Sequence, residues 1–305
     1  MRKIFLRIFF LLTVCWWAFQ FRPITMQIPG STPANDITIR MPLRDKKRLD
    51  FFFREACFVG VWAYTLMGSK PVSFEMYTKQ SSVFKNTFRL SYIRDLLHDC
   101  FWPPDFRELC FRLNPTQLKM KLGWETLNKY FPRFSNSRFV LSSSDSGSVL
   151  CLTLIDKVKF NNMVQKHAED FEPLLQKQGD LLDNENFISF LQASCQNHYL
   201  AGILLGFGKE NARLYAEQDK TYPEGYTLSS PWPEEQAANL DMLNENDRSF
   251  TPWDLSILFY PRFACDPLSE ATKQLKRTYE AEREQIIAYY KGKDVVEATL
   301  SLLNQ

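Results

Sequence analysis

Two short glycine-bearing stretches hold the residues best suited to chemistry in this 305-residue chain. The first is Gly206-Phe207-Gly208-Lys209, followed by Glu210 and Asn211. Set between two helices, such a turn points backbone N–H groups at an anion, and Lys209 adds positive charge. The same glycines serve equally as a helix C-cap and a tight turn, where backbone angles alone matter. A phosphate loop of the Walker kind is absent, because no Gly-Lys-Ser/Thr ends a six-residue loop. The second stretch is Gly68-Ser69-Lys70-Pro71, in which Gly68 ends a helix, Pro71 starts a strand and Lys70 is solvated or functional. If the two turns adjoin, Lys70, Lys209 and Glu210 line one pocket. The candidate ligand-binding set is therefore Lys70, Gly206, Gly208, Lys209, Glu210 and Asn211.

Other reactive side chains offer less. Three histidines are too few for a rich metal site, and His167 lies in an apolar stripe that suits a hydrogen-bonded core residue. Cys195 and His198 stand at i,i+3 on one helix, which puts a Cys–His pair on one side. A dyad needs an orienting partner and an oxyanion hole as well, and neither is evident. His98, Asp99 and Cys100 are consecutive, so on a helix they point about 100° apart. Of seven cysteines, Cys57, Cys151 and Cys195 have apolar neighbours and read as buried thiols; Cys100–Cys110 is the pair worth testing for a disulfide. Cys-x-x-Cys, His-Glu-x-x-His, Gly-x-Ser-x-Gly and a dinucleotide-binding glycine set are all missing. No metal and no cofactor is expected, and whether the chain is an enzyme stays open.

The elements that must position these residues begin at an N-terminal address. Arg2, Lys3 and Arg7 precede an apolar run over 8–19 broken only by Thr13, the layout of an export or anchor segment. Residues 1–21 are expected to be a signal anchor or a signal peptide. Thr13 and Cys15 make a poor cleavage pair, and Leu12-Thr13-Val14-Cys15 is an imperfect lipobox, so cleaved secretion and lipid anchoring at Cys15 stay as alternatives. The excess of basic residues before the segment places the remainder outside the cytoplasm, facing the periplasm or the cell exterior. Residues 22–44 carry Pro23, Pro29, Pro33 and Pro42 and read as an extended, semi-rigid tether.

The expected fold class of 45–305 is α+β, one domain, mostly helical with a small antiparallel sheet. Apolar periodicity predicts a helix over 45–67, capped by Asp45 and ended by Gly68 at a left-handed position. A strand follows over 71–78 with Val72, Phe74 and Met76 on its apolar face. Helices are predicted over 87–101 and 116–131, then a hairpin from 138–142 and 149–155 about the polar loop at 143–148. A helix over 156–175 is bent or ended by Pro173, and another over 184–205 stops at Gly206. The acidic, proline-bearing 219–253 holds a short helix at most, and 255–264 is a strand. Asp266 and Pro267 open a charged final helix with Leu268, Ala271, Leu275, Tyr279, Ile286 and Tyr290 inward.

Composition excludes more than it assigns. With 37 Lys+Arg against 35 Asp+Glu and 26 Phe, the chain is no acidic tail, polycation or disordered polymer. The balance hides a split: residues 1–150 hold 22 basic and 11 acidic residues, and 151–305 hold 15 and 24. A basic half beside the tether suits anionic lipid headgroups.

Two segments carry a family likeness: Ala63-Tyr64-Thr65-Leu66-Met67-Gly68-Ser69-Lys70-Pro71, and the run from Ala201 to Ala212 with Leu204-Leu205-Gly206-Phe207-Gly208-Lys209-Glu210-Asn211. Together they resemble a family of uncharacterised exported proteins of chlamydia-related bacteria, with Met67 where that family has an aromatic residue. The resemblance implies an envelope setting and no known activity. The expected function is a membrane-anchored, extracytoplasmic envelope protein with a binding or structural role. The alternative is an envelope hydrolase or other enzyme with a pocket between the Gly68 and Gly206 turns. Expected partners are the membrane, through the N-terminal segment, and a protein partner or a second copy. Nucleic acid is not expected.

Overall fold

The computed structural model describes residues 20–30, 36–78, 116–132, 138–178, 184–221, 232, 258–263 and 265–305. The fold is α+β, helices with two small antiparallel sheets of two and three strands. The chain divides into two compact units. One holds the described residues within 1–53, 76–132 and 144–151, the other those within 54–75, 133–143 and 152–305.

In the first unit the expected tether is a hairpin. β1 (Pro23–Ile28) and β2 (Ile37–Pro42) pair antiparallel with Pro23 opposite Pro42 and Ile28 opposite Ile37. Both prolines sit at the hairpin's open end, the place in a ladder where a missing N–H does least harm. Met26, Ile28 and Met41 are buried, which an unpartnered spacer has no means of achieving. α1 (Leu43–Arg54) follows directly, and its buried Asp45 accepts from Tyr130 Oη (2.7 Å) and Lys129 Nζ (3.1 Å) at the end of α2 (Thr116–Tyr130). Burial pushes the Asp45 carboxyl up, but these two partners and Arg48 outweigh it and hold it below the usual carboxylate range. Gly123 of α2 is needed for close packing, since a Cβ there would lie 2.5 Å from Phe52 Cβ.

The second unit starts where the expected helix over 45–67 breaks. A π-helical turn (Glu55–Val59) ends at Gly60, and Val61 takes φ +56° before α3 (Trp62–Leu66) resumes. A β-branched residue in that region is strained. Next come β3 (Val72–Thr78), then β4 (Phe139–Asp145) and β5 (Val149–Asp156), in the order β3-β5-β4, of which 76–78, 144–145 and 149–151, with the hairpin turn, count in the first unit. The apolar face predicted for β3 holds only at Val72, which is buried. Phe74 (41% exposed) and Met76 (64%) look outward, while Ser73 is buried. The hairpin turn does match, with Gly147 at φ +80° and its N–H donating to Asp145 Oδ1 (2.7 Å).

Asp156 caps α4 (Lys157–Lys166) by accepting from Val158 N and Lys159 N. The break before α5 (Ala168–Gln178) falls at His167, not at Pro173, which lies inside α5. The expected helix over 184–205 is likewise two, α6 (Asn184–Ser194) and α7 (His198–Leu204), the second capped by Asn197 accepting from Tyr199 N. Together with Val72, Val140 and Ile155 of the sheet, Phe160, Val164, Phe171, Phe187, Phe190, Ile203 and Leu204 make one apolar core. α7 and α8 (Lys209–Thr221) approach closely, a Cβ on Gly202 falling 2.7 Å from Ala212 Cβ.

Residues 258–263 are irregular rather than a strand. In α9 (Glu270–Tyr290) the inner face is Thr272, Tyr279, Ile286 and Tyr290, whereas Leu268 is 79% exposed just before the helix and Ala271 is exposed on it. A last helix, α10 (Val295–Leu303), begins at the Asp294 cap and is almost wholly buried, an element the sequence pattern did not separate. Among the described residues no helix is long and apolar enough to cross a membrane. The anchor expected over 1–21 falls outside them apart from Gln20 and Phe21, as do the helix over 87–101, the Cys100–Cys110 pair and all of 219–253 except 219–221 and Trp232.

Candidate functional site

The Gly68–Pro71 turn is positioned by α3 on one side and β3 on the other, and its polar groups reach into four elements. Upstream, Ser73 Oγ donates to Val61 O (3.2 Å) and shares a 2.7 Å hydrogen bond with Thr65 Oγ1, holding the strained Val61 segment against the strand. Gly60 makes room for Glu75, since a Cβ there would sit 2.9 Å from Glu75 Cγ. At the turn itself, Ser69 N donates to Glu282 Oε1 (2.7 Å) of α9, and Asp156 N donates to Pro71 O (3.0 Å). Gly68 has no left-handed backbone, contrary to expectation. Its glycine is required by approach instead: a Cβ would fall 2.2 Å from Glu282 Oε2 and 2.9 Å from Tyr64 O.

The Gly206 turn closes α7 by a Schellman motif, with Phe207 N donating to Gly202 O and Gly206 N to Ile203 O, both at 3.0 Å. Gly206 and Gly208 have φ of +80° and +81°, the backbone the sequence reading assigns to glycine here. The two turns touch. A Cβ on Gly206 would lie 3.1 Å from Pro71 Cδ and 3.2 Å from Tyr279 Oη, and Tyr279 Oη donates to Gly206 O (2.9 Å).

Lys70 joins them. It is 3% exposed, and its Nζ donates to Val72 O (2.7 Å) and Leu205 O (2.8 Å) while lying 5.1 Å from the Phe207 ring centre. Burial lowers its pKa from 10.5 to about 8, against the pull of Glu75. Glu75 is the counterpart, pushed up to about 8 by burial, with Lys70 and Arg262 opposing and Glu55 reinforcing. Asn211 also belongs here, its Nδ2 donating to Phe207 O (3.0 Å) and its Oδ1 accepting from Thr272 Oγ1 (2.8 Å).

Of the sequence-predicted set, Lys70, Gly206 and Asn211 thus gather round the joined turns. Lys209 does not: its Nζ reaches Asp170 at 2.8 and 3.1 Å, where Tyr199 Oη (2.9 Å) also donates. Glu210 is exposed, and a Cβ on Gly208 would meet open space. His167 sits 3.7 Å from Asp170, its pKa lowered by burial and by Lys166. Cys195 is exposed rather than a buried thiol, no hydrogen bond links it with His198, and the His198 ring packs edge-on against Tyr215 of α8. Cys57 is sealed beside Tyr290 and Thr299, and burial lifts its thiol to about 12, far from a nucleophile.

Three participants escaped sequence reading. Asp156 is fully buried and takes Arg138 (2.6 and 3.0 Å) and Lys159 (3.2 Å). Lys159 reaches on to Thr65 O at 2.6 Å. Glu282 has Oε1 on Ser69 and Oε2 without a hydrogen-bond partner. Burial raises its pKa, with Ser69 and Lys159 opposing. Beside Gly68 an open groove of about 610 Å³ runs along α9, lined by Met67, Gly68, Ser69, Gln274, Arg277 and Glu282 among others. Among the described residues no group of three or more His, Cys, Asp or Glu is placed to hold a metal. No family model, no curated protein and no solved structure matches the chain.

Proposed function

We propose that the chain is an envelope protein, anchored in the membrane by its N-terminal segment and facing the periplasm or cell exterior, whose folded part binds a partner or a second copy. The anchor rests on the basic residues and apolar run before residue 20, and the envelope setting on the likeness of the two glycine motifs to exported proteins of chlamydia-related bacteria. The observation that carries the binding role is the occupation of Lys70. Two carbonyls hold its ammonium inside the fold, so the most distinctive charge of the motif serves to fasten the turns. Fractionation of cells producing the full chain, with protease added from outside, tests the setting: the account expects a membrane-bound, digestible protein. A protein recovered from the cytosol and protected from protease contradicts it. Cross-linking in intact envelopes then tests for a partner or a second copy.

One observation favours a second reading, an envelope hydrolase or other enzyme. Burial lowers the pKa of Lys70 and raises that of Glu75, each to about 8, towards the range in which acid–base groups work. That reading needs the Lys70 amine to reach a substrate, a property that chemical labelling decides.

A further inference from the structure

We infer that the groove beside Gly68 binds a small ligand carrying a free amino group and a carboxylate, an amino acid or a short peptide. The inference rests on the binding role proposed above and names its ligand class. A space of about 610 Å³ falls within the range of small-molecule sites. One wall is the turn at Met67, Gly68 and Ser69, and the other is the outward face of α9.

Glu282 supplies the amine chemistry. A carboxylate accepts about four hydrogen bonds. Here Ser69 occupies Oε1, and Oε2 is pressed against Gly68 with no partner. A carboxylate oxygen left in that state is unfavourable, and an ammonium supplies the missing donors. The terminal torsion of a glutamate is soft, so turning the carboxylate exchanges its Ser69 hydrogen bond for one to a ligand in the groove without moving the helix. Lys159 does not fill the role, because its Nζ is held by Thr65 O and Asp156. A metal ion fits poorly, since Glu282 belongs to no cluster of ligating side chains among the described residues.

Arg277 supplies the other end. It lines the same groove about 7.5 Å along the helix axis from Glu282, five residues at the α-helical rise. It is exposed, and its planar fork matches a carboxylate. Gln274 and Gln285, also on the lining, offer amides to a peptide backbone. Opposite charges at this spacing select a zwitterion longer than a single charged group.

The test is calorimetric titration of the full chain with triglycine, N-acetyltriglycine and triglycine amide. Triglycine is expected to bind saturably, and acetylating its amine to weaken binding about tenfold or more, the effect of one charge-assisted hydrogen bond. Glu282→Gln is expected to weaken triglycine equally and leave N-acetyltriglycine unchanged, because that contact is already lost. Arg277→Gln, an exposed position, is expected to show the same pattern with triglycine amide. Should Glu282→Gln fail to fold, the capped probes on the unaltered chain and the Arg277 variant still decide. Absence of saturable triglycine binding, or equal binding of the acetylated probe, overturns the inference. If a partner is captured from envelopes while triglycine does not bind, only the ligand class falls. If triglycine binds without any envelope partner, the ligand class stands and the partner reading falls.

Discussion

Lys70 offers the sharpest energetic prediction. Its ammonium is buried without an ion pair shorter than its carbonyl contacts, and its pKa falls from 10.5 to about 8. Below about pH 8 folded and unfolded chains both carry the charge, and the folded one bears the loss of hydration. Above about pH 10.5 neither carries it. Stability therefore rises with pH across this window, by about 3 kcal/mol in full, at ~1.4 kcal/mol per tenfold change in protonation. The hydrogen bonds survive, since a neutral amine keeps two donors for Val72 O and Leu205 O.

The clean comparison is Glu75→Gln against Lys70→Met/Glu75→Gln, so that the titration of Glu75 is absent from both. Removing Glu75 also removes the charge that raises Lys70, which widens the window. At about pH 7 the methionine variant loses two carbonyl partners, about 1–3 kcal/mol each, but gains relief from the buried charge. At about pH 10 that relief has mostly vanished, so its deficit grows by about 2–3 kcal/mol. Urea unfolding followed by tryptophan fluorescence measures both gaps. A deficit that stays constant between the two pH values, within about 0.5 kcal/mol, refutes a buried, charged Lys70.

Glu75 has the opposite sign. Its folded pKa is raised from 4.5 to about 8, so its contribution is complete below about pH 4.5 and is lost as pH rises towards 8. Glu75→Gln is expected to flatten that decline in a pH series of melting curves. Gly68→Ala forces a Cβ against Glu282 and Tyr64 O, for a loss of about 1–3 kcal/mol in urea unfolding. Glu282→Ala in the same chain is expected to recover part of it. Asp156→Ala strips Arg138 and Lys159 of their shared buried carboxylate and α4 of its cap, with a loss of about 3–5 kcal/mol in the same assay.

What was legible in the sequence was local. Leu204-Leu205-Gly206-Phe207 announces a helix stop because the Schellman motif needs a left-handed residue beside an apolar one, and Gly206 takes that backbone. The turn about Gly147 and the helix through Thr116 follow from turn chemistry and period in the same way, although β4 runs on to Asp145 where a loop from Ser143 was expected. What escaped depends on distant partners. Lys70 reads as solvated until Leu205, 135 residues on, supplies its carbonyl. Gly68 reads as a C-cap until Glu282, 213 residues from Ser69, occupies the space beside it. In β3 the alternation was visible, but the predicted face is buried only at Val72. Polar Ser73 turns inward because Thr65 and Val61 O await it, and apolar Phe74 turns outward. Gly60, at the helix break, likewise leaves no room for a Cβ beside Glu75. The two glycine motifs are the segments that meet, yet their residue types alone carried no information on whether Lys70 faced solvent, substrate or protein.

Whether the Lys70 amine meets solvent, substrate or protein is measured directly by amine labelling. The full, folded chain is treated at about pH 8 with a small amine-acylating reagent, and modified lysines are mapped by mass spectrometry over time. Lys70 is expected to stay unmodified while exposed Lys209 and Lys273 react, because both carbonyl contacts and the surrounding side chains shield its nitrogen. Rapid, selective acylation of Lys70 ahead of the surface lysines, the behaviour of an accessible amine of lowered pKa, contradicts the binding account and favours an enzyme.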